Sequence, residues 1–178
     1  GRAAAYEDGA EQIREYLEDA AIWENQVQQK DRATTAYEKI LEIDPKHDKA
    51  FFSLEELHLA AGRSEPVIEL YLNRHETRED DKDKILLLRK IAKVYEEQLE
   101  DKGQAFDALF AAFEMDFNDN ETCRYLERMA AATTRWTELI QNVNGMLQAE
   151  KEPSRRIALS LRLAKWYAED LGHPEHAQ

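Results

Sequence analysis

Cys123 is the single cysteine of the 178 residues, and no histidine lies near it in the chain to serve as its base. A thiol turns reactive in an exposed, electropositive setting. Cys123 instead stands in line with Phe51 on the inward side of a helical pattern, which predicts a buried, inert thiol. One cysteine leaves no intramolecular disulfide and no cysteine metal cage, and it fits a reducing compartment. His173 and His176 are spaced to share a metal ion, but they fall on a turn between helices, where solvated side chains are the simpler expectation. Asn120-Glu121-Thr122 has the glycosylation pattern and reads better as a helix N-cap. A Gly-rich phosphate loop, a His-Glu-x2-His pair and a Gly-x-Ser-x-Gly elbow are all missing from the sequence. No catalytic residue, metal site or cofactor is therefore expected, and the chain does not read as an enzyme.

Charge and shape remain as the carriers of function. Hydrophobic residues make up 43% and charged residues 34%, with 6 Gly and 4 Pro, a composition that favours helix throughout. The net charge of -13 argues against nucleic acid, because phosphate binding needs a basic surface that displaces counterions. No stretch of about 18 uncharged apolar residues occurs, so membrane insertion is not expected. Gly1-Arg2-Ala3-Ala4-Ala5 is too short and too weakly apolar for a signal peptide and reads as a cut point, with the cytoplasm as the default expectation.

An internal repeat organises the chain. Residues 91–99 (IAKVYEEQL) align with residues 163–171 (LAKWYAEDL), a shift of 72 positions. The same shift sets Trp23 on Tyr95, Ala33 on Ala105, Ala36 on Ala108, Leu54-Glu55 on Leu126-Glu127, and Arg63 on Arg135. Roughly one aligned position in four is identical, several times the chance level. Each unit holds four helical patterns. In the clearer copy these run through Ile85, Leu88, Ala92, Tyr95 and Leu99; Ala105, Ala108, Leu109, Ala112 and Phe113; Leu126, Met129 and Ala130; and Trp136, Leu139, Ile140, Val143 and Leu147. The expected architecture is all-α, with about nine to ten antiparallel helices in one domain over 1–178. Its hairpins lie at approximately 9–45, 46–77, 82–118, 119–149 and an incomplete 153–178. Ala33, Ala36, Ala92, Ala105, Ala108 and Ala164 would allow close helix approach, with Trp23, Tyr37, Tyr95, Phe113 and Tyr167 filling the adjoining space. An array stopping at His176-Ala177-Gln178 leaves an apolar end, so a fragment of a longer array, or a partner covering that end, is expected.

These residues resemble the tetratricopeptide repeat family. Tyr16, Ala20 and Trp23 match its first helix; Ala33, Tyr37, Ile40 and Ile43-Asp44-Pro45 match its second. Leu88, Ile91, Ala92 and Tyr95, then Ala105, Leu109 and Ala112, repeat the pattern, with Phe117 where proline is usual. The hairpins that begin near His47 and Asn120 depart from it, since Glu55 and Glu127 replace a small residue. The phrases around Leu171-Gly172-His173-Pro174 and Arg135-Trp136 are similar to long bacterial arrays of this family. The resemblance implies a right-handed superhelix of helix pairs and a protein or peptide partner held in a concave groove.

In that family the first helix of each hairpin lines the groove, and ligand contacts come six, five and two residues before its aromatic anchor. Carried onto this chain, the positions are Arg89, Lys90 and Lys93; Arg124, Tyr125 and Arg128; and Leu161, Arg162 and Lys165. The earlier hairpins contribute Leu17, Glu18 and Ala21, then Phe52, Ser53 and Glu56. Cations thus gather in the C-terminal half of the groove. There they are expected to receive an acidic or C-terminal carboxylate segment, with Tyr125 stacking or hydrogen-bonding alongside. The competing expectation is that the cations only balance neighbouring glutamates. The family's chaperone-tail clamp also needs groove asparagines, which are not at these positions. A second class of function remains open, in which the chain is an assembly module that associates with itself or with the rest of a larger protein.

Overall fold

A computed structural model describes residues 2–24 and 30–170. It is all-helical: nine helices and no strand occur among the described residues. In order they are α1 (Arg2–Glu24), α2 (Lys30–Ile43), α3 (Asp48–Ala60), α4 (Ser64–Thr77), α5 (Asp81–Glu97), α6 (Lys102–Met115), α7 (Asn120–Ala132), α8 (Trp136–Ala149) and α9 (Pro153–Asp170). Within residues 30–77 and within residues 102–170 each connection is only a few residues long, so neighbours run antiparallel and bury their apolar stripes on one another. The chain divides into two compact units, residues 1–87 and 88–178.

The sequence repeat recurs at the level of helix ends. α2 begins at 30 and α6 at 102, α3 at 48 and α7 at 120, α4 at 64 and α8 at 136, and α5 at 81 and α9 at 153. Each difference is 72. The turns that set these ends repeat bond for bond. After α3 the amides of Ala61, Gly62 and Arg63 donate to the carbonyls of Leu57, Leu59 and His58. After α7 those of Thr133, Thr134 and Arg135 donate to Met129, Ala131 and Ala130, again 72 positions on. The pivot residue of each turn has a left-handed backbone, Gly62 at φ 66° and Thr134 at φ 56°. Before α3 and α7 the side chains of Asp44 and Asp116 accept from the amides of Lys46 and Asn118.

In unit 1 the buried centre is built from Ala33, Tyr37 and Ile40 of α2, Phe51 and Leu54 of α3, and Val67 and Tyr71 of α4. Tyr71 donates its hydroxyl to Glu55 at 2.6 Å, so the glutamate in the small-residue position is a hydrogen-bond acceptor. In unit 2 Leu109 and Phe113 of α6, Leu126 and Met129 of α7, Leu139 and Val143 of α8, and Leu159, Leu163 and Trp166 of α9 form one cluster.

Three expected core positions differ, the first being Leu99, which lies beyond the end of α5 and is 40% exposed. Ala164 is exposed, and Tyr167 is 46% exposed with its hydroxyl accepting from Asn144 at 3.0 Å. Trp166 is the fully buried aromatic of α9. One residue turns a helix by about 100°, so a core stripe through Leu159 and Leu163 passes through Trp166 and not through its neighbour.

Candidate functional site

The helices that carry the candidate cations start where acidic side chains satisfy otherwise unpaired amides. Asp119 caps α7 by accepting from the Glu121 amide at 3.2 Å and from the Thr122 hydroxyl at 2.6 Å. The cap is therefore Asp119, and Asn120 is the first helical residue, so the helix starts one place earlier than the sequence suggests. A carboxylate wins this position because it can take both bonds at once, one of them from the buried Thr122. The Glu152 carboxylate serves the amides of Ser154 and Arg155 at the start of α9.

Three ion clusters, the first centred on an arginine and the other two on a glutamate, then organise the charged side chains of α5, α7 and α9. In the first, Arg89 reaches Asp119 at 3.2 Å and Glu121 at 2.7 Å. In the second, Glu96 of α5 takes both guanidinium nitrogens of Arg128, one of them at 2.8 Å, and the Tyr125 hydroxyl at 2.6 Å. The Arg128 guanidinium lies 4.6 Å from the Tyr125 ring centre. In the third, Glu127 of α7 accepts from Trp166 Nε1 at 2.7 Å, with Lys165 Nζ at 3.5 Å and Arg162 at 3.9 Å. Arg162 also donates to the Phe117 carbonyl and the Asn120 side chain, both at 3.3 Å.

Two of the predicted residues form only local bonds among these contacts. Lys93 meets Glu97 one turn along its own helix at 3.9 Å, with both side chains more than half exposed. Arg124 is exposed and its Nε reaches the Asn120 carbonyl at 3.3 Å. Lys90 is half-buried, and Leu161 and Phe52 are exposed at 67% and 56%. Tyr125 is engaged within the protein through its hydroxyl and one ring face.

The electrostatics follow from this geometry. Hydrogen bonds from Arg128 hold the Glu96 carboxyl below the usual carboxylate range, against the opposing effect of burial. Burial, reinforced by Glu96, pushes the Tyr125 phenol up, so it stays a donor. In two of the pairs the carboxylate lies deeper than its cation, whereas Arg89, 18% exposed, lies beneath Glu121 at 74%, and Arg162 is as deep as Glu127. The Glu96 side chain is 14% exposed against 57% for Arg128, and Glu127 is 15% exposed against 46% for Lys165. At Arg128 and Lys165 the outer group is therefore a cation, although the protein as a whole is acidic.

Glu96, Glu127, Asp119 and Trp166 are site residues that the sequence pattern does not single out. For Glu127 a signal existed, since a glutamate occupies a place where a small residue is usual. Glu96 sits among the acidic side chains of residues 96–101, where nothing in the sequence distinguishes it from a solvated surface glutamate.

The other chemistry-bearing residues behave as follows. Cys123 is fully buried, its thiol lies 3.5 Å from the Phe117 carbonyl, and burial pushes its pKa up to about 11. His173 and His176 lie outside the described residues. Among the described residues no group of three His, Cys, Asp or Glu side chains could hold a metal ion, and no helix is long and apolar enough to cross a membrane. Neither a protein-family model nor a curated protein matches this sequence.

Proposed function

We propose that the chain is an interaction module of the tetratricopeptide type, holding an acidic or carboxylate-ended segment of another protein against the α5–α7–α9 face. The observation that carries this reading is the layering of charge, with Glu96 and Glu127 beneath and Arg128 and Lys165 outermost. A guanidinium has five N–H donors, and an internal carboxylate occupies only part of that fork. Donors already held in place cost a guest less side-chain entropy on binding. Lys93 and Arg124 extend the same exposed set along α5 and α7. The motif residues Ala33, Tyr37, Ile40 and Asp44-Pro45, together with helix ends that recur every 72 residues, support the family reading.

The test is to replace Lys93, Arg128 and Lys165 by glutamate and compare partners retained from lysate, with circular dichroism to confirm that helices persist. The reading expects loss of the acidic partners. An unchanged partner set in a folded variant would discard it.

A second reading, self-association or docking within a larger assembly, is favoured by one feature of α9. Ile157 and Leu161 are 62% and 67% exposed beside Ala164 and Pro153. The residues 72 positions before Ile157 and Ala164 are Ile85 and Ala92, at 4% and 0%. Light scattering coupled to size exclusion separates the two readings: a monomer at tens of micromolar disfavours assembly, and a dimer that Ile157→Lys dissolves supports it.

A further inference from the structure

Unit 1 holds a cavity of about 760 Å³ between α2, α3 and α4, within the range of about 300–1,000 Å³ usual for ligand sites. Its floor is apolar, with Phe51 and Leu54 buried. Two buried cationic or titratable side chains also line it. Arg74 has a side chain 2% exposed, bonded through one nitrogen to Asp48 and stacked 4.8 Å over the Phe51 ring. Its other terminal nitrogen, Nη1, is buried with no hydrogen-bond partner among the described residues. His58 is 5% exposed, and its Nδ1 is buried in the same condition. A buried guanidinium N–H left without an acceptor costs far more than one that is paired, so Arg74 Nη1 points to an acceptor that completes it.

The walls carry the opposite charge. Glu38, Glu42, Glu69 and Glu76 all line the cavity, and of these Glu42 is paired with Lys39 at 2.8 Å. Burial holds the Glu38 carboxyl above its usual range, with Arg63 opposing this and Glu42 and Glu69 adding to it. A cation placed among these carboxylates would offset their mutual repulsion.

Unit 2 shows that the opening is not forced by the backbone. At the positions 72 later, Glu38 becomes Phe110, Leu41 becomes Phe113, Pro45 becomes Phe117 and Arg74 becomes Met146. Phe110 stacks on Phe113 at 6.2 Å, Phe113 meets Phe117 at 5.8 Å, and Met146 lies against the same cluster. The ground that unit 2 fills with aromatic rings is lined in unit 1 by carboxylates over a buried arginine.

From this combination we propose that the α2–α3–α4 cavity binds a basic peptide segment. A lysine or arginine side chain of the guest meets Glu38, Glu69 and Glu76, an apolar neighbour lies on Phe51 and Leu54, and a guest backbone carbonyl accepts from Arg74 Nη1. Specificity comes from the walls, whose carboxylates repel an acidic guest, while the bond to Arg74 Nη1 orients the guest backbone whatever its sequence. This site is separate from the α5–α7–α9 face and takes a guest of the opposite charge.

The experiment measures fluorescence anisotropy of two labelled hexapeptides, one alternating Leu and Lys and the other alternating Leu and Glu, titrated with the full chain. The Leu–Lys peptide is expected to bind. Glu38→Phe with Arg74→Met, which transplants the filling of unit 2, should abolish that binding. Glu38→Gln with Glu69→Gln, both at the exposed rim, should weaken it on the order of tenfold without moving the thermal melt. The Lys93→Glu, Arg128→Glu, Lys165→Glu variant should keep it, so failure of this site and failure of the proposed function read out separately. If the filled variant does not fold, the rim variant decides. Absence of Leu–Lys binding to the wild type, or equal binding by the wild type and the rim variant, overturns the proposal.

Discussion

In residues 102–149 the space between α6 and α8 is taken up by Phe110, Phe113 and Met146, and α9 adds Trp166, whose ring lies 5.6 Å from Phe113. In residues 30–77 helices with the same ends and the same turn hydrogen bonds carry Glu38, Leu41 and Arg74 at the first three of those places. Backbone course and groove content are therefore separable in this protein. Caps and turns set where each helix starts and stops, while a handful of side chains decide whether the ground between helices is closed by rings or open to a guest. A helix pair can keep its local signals and change its contents because the two act through different atoms, backbone amides in one case and side-chain volume in the other.

The largest expected contrast comes from truncating Phe113. This side chain is fully buried among Phe110, Phe117 and Trp166, so Phe113→Ala should cost about 3–5 kcal/mol in urea unfolding. Leu41→Ala, its half-buried counterpart at the cavity wall, should cost about 1 kcal/mol. Equal losses would mean that the two grooves are filled alike.

Next in size is Glu127→Ala, which removes the acceptor of the buried Trp166 Nε1 and the counter-charge of Arg162 and Lys165. A loss of about 2 kcal/mol is expected by the same measurement, because a buried donor is left unpaired. A neutral result would show that the ion clusters of α7 and α9 do not stabilise unit 2.

The turn pivots sharpen the comparison further. Thr134 holds φ 56° where Gly62 holds φ 66°, and a β-branched residue is strained there. Thr134→Gly should stabilise by about 1 kcal/mol, and Gly62→Ala should destabilise by a similar amount although nothing lies within 4 Å of the added Cβ. Both signs are read from thermal melts.

The smallest effect concerns acid. Burial, with Arg63 nearby, lowers the pKa of His58 below its ordinary 6.5. The unfolded chain then binds more protons than the folded one, so stability is full above about 6.5 and is lost as pH falls through that value. Melts between pH 7.5 and 5.5 should show a slope that His58→Gln flattens. His75 has a pKa lowered in the same sense and supplies the residual slope.

Much of the fold was legible in the sequence because helix periodicity, small residues and turn chemistry are local signals. The 72-residue shift read from Trp23, Ala33, Arg63 and their counterparts matches the shift of the helix ends. Trp166 was obscured because Tyr167, beside it, looks equally suited to a core, and one position decides which ring faces inward. The site was legible only in part. Periodicity places Arg89, Arg128 and Lys165 on first helices, but it says nothing about distance between helices. The clustering on Glu96 and Glu127 spans 29 to 39 residues of sequence and becomes visible only when α5, α7 and α9 are set side by side. The α2–α3–α4 cavity was invisible for the same reason, since no single residue announces a missing ring.

Residue-by-residue amide hydrogen exchange by NMR tests the repeat most directly. The protected stretches of residues 30–77 should recur 72 positions later in residues 102–149. Arg63 should be protected together with Arg135, and Phe51 with Cys123, each through its turn or first-turn bond. Protected stretches that fall out of phase between the two segments would contradict a common backbone, and the contrast between an open and a filled groove would lose its basis.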